Sequence, residues 1–262
     1  MDLEINRKTA LVTGASKGIG RAVTKLLAAE GCDLHIASRT EADLVSLRNE
    51  IISTDDVEVI VHPVDLSTAK GISRLVKATG NIDILVNNAG AIPAGDIERL
   101  DYEKIKQAWD LKVFGYLGLV RAFYTQMREN NTGVIVNIIG MAGERPRSSY
   151  IAGGMGNAAL MAMTRALGSE SIDYGVRIVG INPGPIETDR LVTQAKTAAD
   201  MNWGDDSRWR ETLKGLPGDR AGSVEEEIAW LTAFLASPKA SWLSGTVVMA
   251  DGGEHSRPPG RL

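Results

Sequence analysis

The sequence predicts an α/β fold, a doubly wound parallel sheet of seven strands with helices on both faces, built as one domain. Three observations predict it. From residue 8 onward, short β-like runs alternate with longer helix-patterned stretches, as successive βαβ units do. Runs such as Val134 to Ile139 are apolar throughout, which suits strands covered on both faces. A glycine-rich turn, Thr13-Gly14-Ala15-Ser16-Lys17-Gly18-Ile19-Gly20, joins the first strand to the first helix.

Each element follows in order. Thr9 to Val12 is a first strand, and Arg21 to Glu30 an amphipathic helix stopped by Gly31. Cys32 to Ala37 is the second strand, ended by Ser38-Arg39, and the next helix starts at Thr40, which can cap it. Val57 to Val64 is the third strand, and the helix after Asp65-Leu66-Ser67 turns Ile72, Leu75 and Val76 inward. Ile84 to Val86 is a short fourth strand running into Asn87-Asn88-Ala89-Gly90, and Leu100 to Glu129 reads as one long helix. Val134 to Ile139, Val176 to Asn182 and Thr246 to Ala250 complete the strands; Ser149 to Ser171 and Val224 to Ser237 complete the helices. Residues 1–253 form the domain. Within them, 187–222 reads as an irregular substrate lid carrying Trp203 and Trp209, and 254–262 as an extended tail.

Composition narrows the function classes. A chain of 262 residues with 44% hydrophobic and 24% charged content can bury a full core. A net charge of −4 argues against a nucleic-acid or anionic-membrane surface. No apolar run approaches the roughly 20 residues of a membrane helix. Cys32 is the single cysteine, so no intrachain disulfide forms, and the cytoplasm is the expected location. Its strand-like setting reads as buried and structural.

The glycine-rich turn carries the first chemistry. Glycines at 14, 18 and 20 allow a sharp turn, a close approach to a pyrophosphate and tight packing of the next helix. The helix N-terminus offers unpaired N–H groups and a favourable dipole to the anion.

With these pieces in place, the chain resembles the short-chain dehydrogenase/reductase family over roughly residues 5 to 253. Five motifs agree in order and spacing: the glycine-rich turn, Asp65-Leu66, Asn87-Asn88-Ala89-Gly90, Pro183-Gly184-Pro185-Ile186-Glu187-Thr188, and Asp251-Gly252-Gly253. The resemblance implies a Rossmann-type domain and a homo-dimer or homo-tetramer built on the two long helices. It also implies cofactor roles. Gly14, Ser16, Lys17, Gly18, Ile19 and Gly20 cradle the phosphates, Asp65 accepts from the adenine amino group with the Leu66 backbone beside it, and Asn88, Ala89 and Gly90 receive a ribose. Pro183, Gly184, Ile186 and Thr188 wrap the nicotinamide. A bland reading stands beside these, in which Asp65 caps a helix and Asn88 satisfies a turn.

The end of the second strand selects the cofactor. An NAD enzyme places a carboxylate there to hold the ribose hydroxyls. This chain has Ser38-Arg39, and Lys17 offers a second cation, so NADP(H) is expected rather than NAD.

At the catalytic positions the chain departs from its relatives. The family carries a Ser ending strand five, a Tyr and a Lys four apart on the next helix, and an Asn on the preceding long helix. Aligning Asn157-Ala158-Ala159-Leu160 with the family's K-A-A-L puts Asn157 at the Lys position, Gly153 at the Tyr, Gly140 at the Ser and Lys112 at the Asn. Two substitutes offer themselves. Tyr150 lies about one turn before Gly153 and either leans into the same cleft or packs at a helix start with its hydroxyl in water. Lys112 is either a new cation in the pocket or a solvated lysine. Gly140, Gly153, Gly154 and Gly156 widen the pocket floor for a bulky substrate or let two helices approach.

The expected function is NADP(H)-dependent oxidoreduction of a small carbonyl, imine or alcohol with Tyr150, Lys112 and Asn157 as the catalytic candidates. A non-catalytic NADP(H) sensor or scaffold, and a non-redox lyase or isomerase, are the alternatives. No metal is expected.

Overall fold

The computed structural model describes residues 1–258. Seven strands form one all-parallel sheet in the order β3-β2-β1-β4-β5-β6-β7. The strands are β1 (Thr9–Thr13), β2 (Asp33–Ser38), β3 (Val59–Pro63), β4 (Ile84–Asn87), β5 (Gly133–Ile138), β6 (Val176–Pro183) and β7 (Val247–Ala250). Helices α1 (Gly18–Ala29), α2 (Glu41–Ile52), α3 (Ala69–Thr79), α4 (Tyr102–Trp109), α5 (Gly115–Glu129), α6 (Ile151–Ser171), α7 (Asp189–Trp203) and α8 (Trp230–Ala236) connect and cover them. The strand order reverses between β1 and β4, and a ligand crevice opens there, outside the carboxyl ends of the strands.

The unbroken apolar runs are explained by burial on both faces. Along β1, Ala10 and Val12 point into the core shared with α1, whereas Leu11 points into the core under α5. The same period-2 division holds in β4, where Ile84 and Val86 oppose Leu85, and in β6, where Val179 and Ile181 oppose Ile178. Cys32 is buried just before β2 and its thiol is pushed up to about 12 by desolvation, so it is an inert core group.

Four expectations are corrected. The segment read as one helix from Leu100 begins at Tyr102, capped by Asp101, and between α4 and α5 it passes through a π-helical turn, Asp110–Phe114. Residues 187–222 are mostly helical. α7 is capped by Thr188 and packs on a 3₁₀ turn, Asp206–Leu213, through Ala195, Ala199, Trp209 and Leu213. Polar residues dominate α7, which hides its helical signal from a reading of apolar spacing. Thr40 stands at the N-cap of α2 but makes no side-chain capping bond. Residues 254–256 form a 3₁₀ turn instead of an extended tail, with Glu254 fully buried; residues 259–262 of the expected tail lie outside the described residues. Among the described residues, no helix is long and apolar enough to cross a membrane, and no group of three or more metal-ligating side chains occurs.

Candidate active site

The glycine turn is held in a form that only glycine permits. Gly14 has φ +65°, and a Cβ on it would stand 2.8 Å from Asn88 Nδ2 and 2.9 Å from Ala89 Cα. A Cβ on Gly20 would lie 2.2 Å from the Gly14 carbonyl oxygen. The close packing is fixed from β4. Asn88 Nδ2 donates to the Thr13 and Gly14 carbonyls, each at 3.1 Å, and the Asn88 N–H donates to Thr13 Oγ1 at 3.0 Å. Asn88 therefore braces the turn, the role of the bland reading. Thr188 caps α7 and its methyl faces Gly18, closing the far side of the same loop.

A cavity of about 220 Å³ runs from Gly14, Ser16 and Lys17 past Ser38 and Arg39 to Val64, Leu66, Ala89 and Gly90. Its outer end suits a 2′-phosphate. Ser38 Oγ is buried with no hydrogen-bond partner, Arg39 is exposed beside it, and Lys17 reaches across to Asp43 at 3.5 Å. A buried hydroxyl without a partner costs stability unless a ligand satisfies it. Asp65 does not line this cavity. Its Oδ1 accepts from the Ser67 N–H at 3.0 Å, and that turn holds its carboxyl below the usual range.

The second cavity, about 540 Å³, opens at the ends of β4, β5 and β6. It brings Lys112, Gly140, Tyr150 and Asn157 together with Ile19, Asn88, Gly90, Pro183 and Gly184 from the cofactor motifs. The π turn carries Lys112, and one extra residue in a helical turn changes which side chains face the cleft. The Lys112 stem crosses Gly90, where a Cβ would stand 2.8 Å from Lys112 Cδ. Its ammonium donates to the Ile139 carbonyl at 2.5 Å. Desolvation, with Arg190 nearby, lowers the Lys112 pKa to about 8. The solvated-lysine reading is thereby set aside.

Tyr150 precedes α6 with its ring laid back over Gly153. A Cβ on Gly153 would fall 2.0 Å from Tyr150 Cε1 and 2.1 Å from Cζ. The Tyr150 ring thus fills the space from which a side chain at 153 would project. Burial raises its phenol pKa, and Arg190 opposes the rise. Gly140 shows the same reciprocity. Its φ is +134°, and a Cβ there would approach Asn157 Nδ2 to 2.8 Å. Asn157 is buried and its Oδ1 has no partner among the described residues.

These contacts correct the expectation that the glycines widen the floor. The space at Gly153 is taken by Tyr150 and that at Gly140 by Asn157, while Gly156 admits Trp109, whose Nε1 donates to the Ala152 carbonyl at 3.0 Å. Trp209 and Trp203 do not cover the cleft either. Trp209 is buried inside the lid under the Arg210 guanidinium, and Trp203 lies under Arg208.

Some site residues carry no motif and were missed. Arg145, Arg147 and Ser149, from the loop before α6, and Gln194 of α7 line the larger cavity. A buried ladder also runs beneath it, in which Asn87 Nδ2 donates to Asn137 Oδ1 and Asn137 Nδ2 to Thr164 Oγ1, both at 3.0 Å. The asparagines inside the apolar runs of β4 and β5 were the available signal, since a buried amide needs partners.

Comparison with known proteins shows the family. The pattern of the short chain dehydrogenase family matches residues 8–199. NADPH-dependent reductase BacG of Bacillus subtilis (strain 168) is 31% identical over 258 residues, covering 95% of this chain and 98% of that protein. A 3-oxoacyl-[acyl-carrier-protein] reductase, FabG of Rickettsia prowazekii, is 30% identical over 257 residues, covering 96% and 98%. Among solved structures, L-sorbose reductase from Gluconobacter frateurii, complexed with NADPH and L-sorbose, superposes with a TM-score of 0.92 at 30% identity, covering 98% of this chain and 100% of that one.

Proposed function

The chain belongs to the short chain dehydrogenase family, and from that premise we propose that it is an NADP(H)-dependent oxidoreductase of a small carbonyl, imine or alcohol, with Tyr150 and Lys112 in place of the residues usual at 153 and 157. NADP(H) is the cofactor of the similar reductases. The residues present fit it, because the unpartnered Ser38 hydroxyl, Arg39 and Lys17 meet at one end of a glycine cradle that a single Cβ would fill. When bound, it supplies the hydride.

The observation that carries the residue assignment is the Tyr150 ring lying over Gly153 in the cavity shared with Lys112 and Asn157. Its raised pKa keeps the phenol protonated at neutral pH, the form able to donate a proton to a carbonyl oxygen during reduction. The guanidinium of Arg190 puts positive charge near the phenol, which stabilises the phenolate left behind, and Lys112 lines the same cavity. Asn157 Oδ1, buried without a donor, is available to accept from a bound hydroxyl or amide.

We further place the protein in the cytoplasm as a homo-oligomer. Phe114, Leu117 and Met155 are exposed on the helices expected to form the interface, and apolar side chains left open there support that assembly. The test of function is NADPH consumption across ketones, imines and enones, followed for wild type, Tyr150→Phe and Lys112→Met. Redox turnover that falls at least tenfold in both variants supports the reading. Full activity in both refutes the assignment, substrate conversion without nicotinamide oxidation indicates the lyase or isomerase, and tight NADPH binding without any turnover indicates the sensor.

A further inference from the structure

Two arginines of the substrate cavity have no part in the proton transfer described above. Arg145 and Arg147 line the cavity that holds Tyr150 and Lys112, and among the described residues no Asp or Glu lines it. Both are anchored from behind by Glu254, whose side chain is completely buried. Arg145 Nη1 donates to the Glu254 carbonyl oxygen at 2.5 Å and lies 3.4 Å from Oε1, and Arg147 Nη2 donates to the same Oε1 at 3.0 Å. Glu254 Oε2 has no partner among the described residues.

The charges do not balance. Among the described residues, Lys112, Arg145 and Arg147 face one cleft against a single carboxylate, and Arg190 adds a further cation close enough to act on Lys112 and Tyr150. A guanidinium carries five N–H donors in a planar fork. Each arginine spends only one terminal nitrogen on Glu254, so the remaining edge of each fork has no acceptor among the described residues. Arg145 is 24% exposed and Arg147 47% exposed in their side chains, so both can be reached from the cavity. A planar fork next to unbalanced positive charge matches a carboxylate in shape and sign.

We propose that the substrate carries a carboxylate, that Arg145 and Arg147 bind it, and that Glu254 is a positioning residue holding the two forks toward the cleft. The inference rests on the redox reading of the site for its carbonyl end, and on the arginine cluster alone for its acidic end. The carbonyl then meets Tyr150 while the carboxylate lies toward the C-terminal 3₁₀ turn. An oxo acid is the substrate class, and the distance between its two groups is the property that the cavity selects.

The test separates binding from turnover. Calorimetry on the whole protein, with and without NADP⁺, compares hexanoate with hexanamide, neither of which is reducible here. Hexanoate binding at least tenfold tighter, with the preference shrinking as salt rises and lost in Arg147→Gln, is expected. Equal binding of the two overturns the proposal. In turnover, 2-oxo, 3-oxo, 4-oxo and 5-oxo acids are compared with their methyl esters. The best acid should exceed its ester about tenfold to hundredfold in kcat/KM, and Arg147→Gln should remove that advantage by raising KM for the acid about tenfold more than for the ester. An equal loss for acid and ester overturns the carboxylate contact. Glu254→Gln should weaken acid binding less than Arg147→Gln does, because the forks lose their anchor but keep their charge; an unchanged affinity there overturns the positioning role. Acid-selective binding with no oxo acid reduced means that the redox reading has failed and the anion site stands.

Discussion

The fit of Tyr150 over Gly153 makes a single methyl group a sharp probe of the site. In Gly153→Ala the new Cβ would meet Tyr150 Cε1 at 2.0 Å, where real Cβ contacts start at 3.0 Å and ordinary contact begins at 3.4 Å. The ring must retreat by about 1.4 Å to reach van der Waals contact. A misplacement of about 1 Å at a reacting group costs about 10²-fold in rate. Gly153→Ala should therefore lower kcat about 10²-fold while Tyr150→Phe, which removes only the hydroxyl, lowers it about 10²- to 10⁴-fold. Overpacking should also cost about 1–3 kcal/mol of stability. Steady-state nicotinamide absorbance and thermal unfolding, each measured for Gly153→Ala with and without Tyr150→Ala, read the two effects. Because the clash exists only while the ring is present, Tyr150→Ala should abolish the stability penalty of the second substitution. Gly153→Ala with kcat within twofold of wild type, or an equal Tm loss in both backgrounds, refutes the reasoning.

Other outcomes follow from the same geometry. The Lys112 ammonium is held down to about 8, so kcat/KM should fall as pH rises through about 8, and the fall should move to higher pH in Lys112→Arg. The same shift has a stability consequence. Between about 8 and the ordinary lysine value of 10.5 the unfolded chain binds the proton and the folded chain does not, so stability should rise with pH in that window by up to about 3 kcal/mol; denaturant titrations of Lys112→Met should lack that rise. Arg39→Ala should raise KM for NADPH about tenfold or more and leave NADH kinetics nearly unchanged, and an unaltered NADPH/NADH ratio would place the 2′-phosphate elsewhere. Gly20→Ala should unfold at a markedly lower temperature, since its Cβ meets the Gly14 carbonyl oxygen at 2.2 Å in backbone that cannot yield cheaply; a Tm within 2 °C of wild type would contradict the packing of the turn.

Sequence alone determined the sheet, the glycine turn and the choice of NADP(H), because these depend on local chain chemistry. Unbroken apolar runs, a turn that needs φ above zero at Gly14 and a Ser-Arg pair at a strand end are each written in a few consecutive residues. Local patterning failed at the lid, whose polar α7 buries little besides Ala195 and Ala199, and at Glu254, where nothing in nine terminal residues announces a buried carboxylate. Tertiary structure decided where the candidate side chains lie. It laid the Tyr150 ring over Gly153, drew Lys112 across Gly90 through a π turn, and filled the space at Gly140 with Asn157. It also set Arg145 and Arg147 against Glu254, more than 100 residues away in the chain. The physical reason is the range of the determining contacts. A turn or a strand is fixed by backbone sterics among neighbours, whereas the direction of a side chain into a cleft is fixed by what occupies the space around it, and those occupants come from other strands and helices.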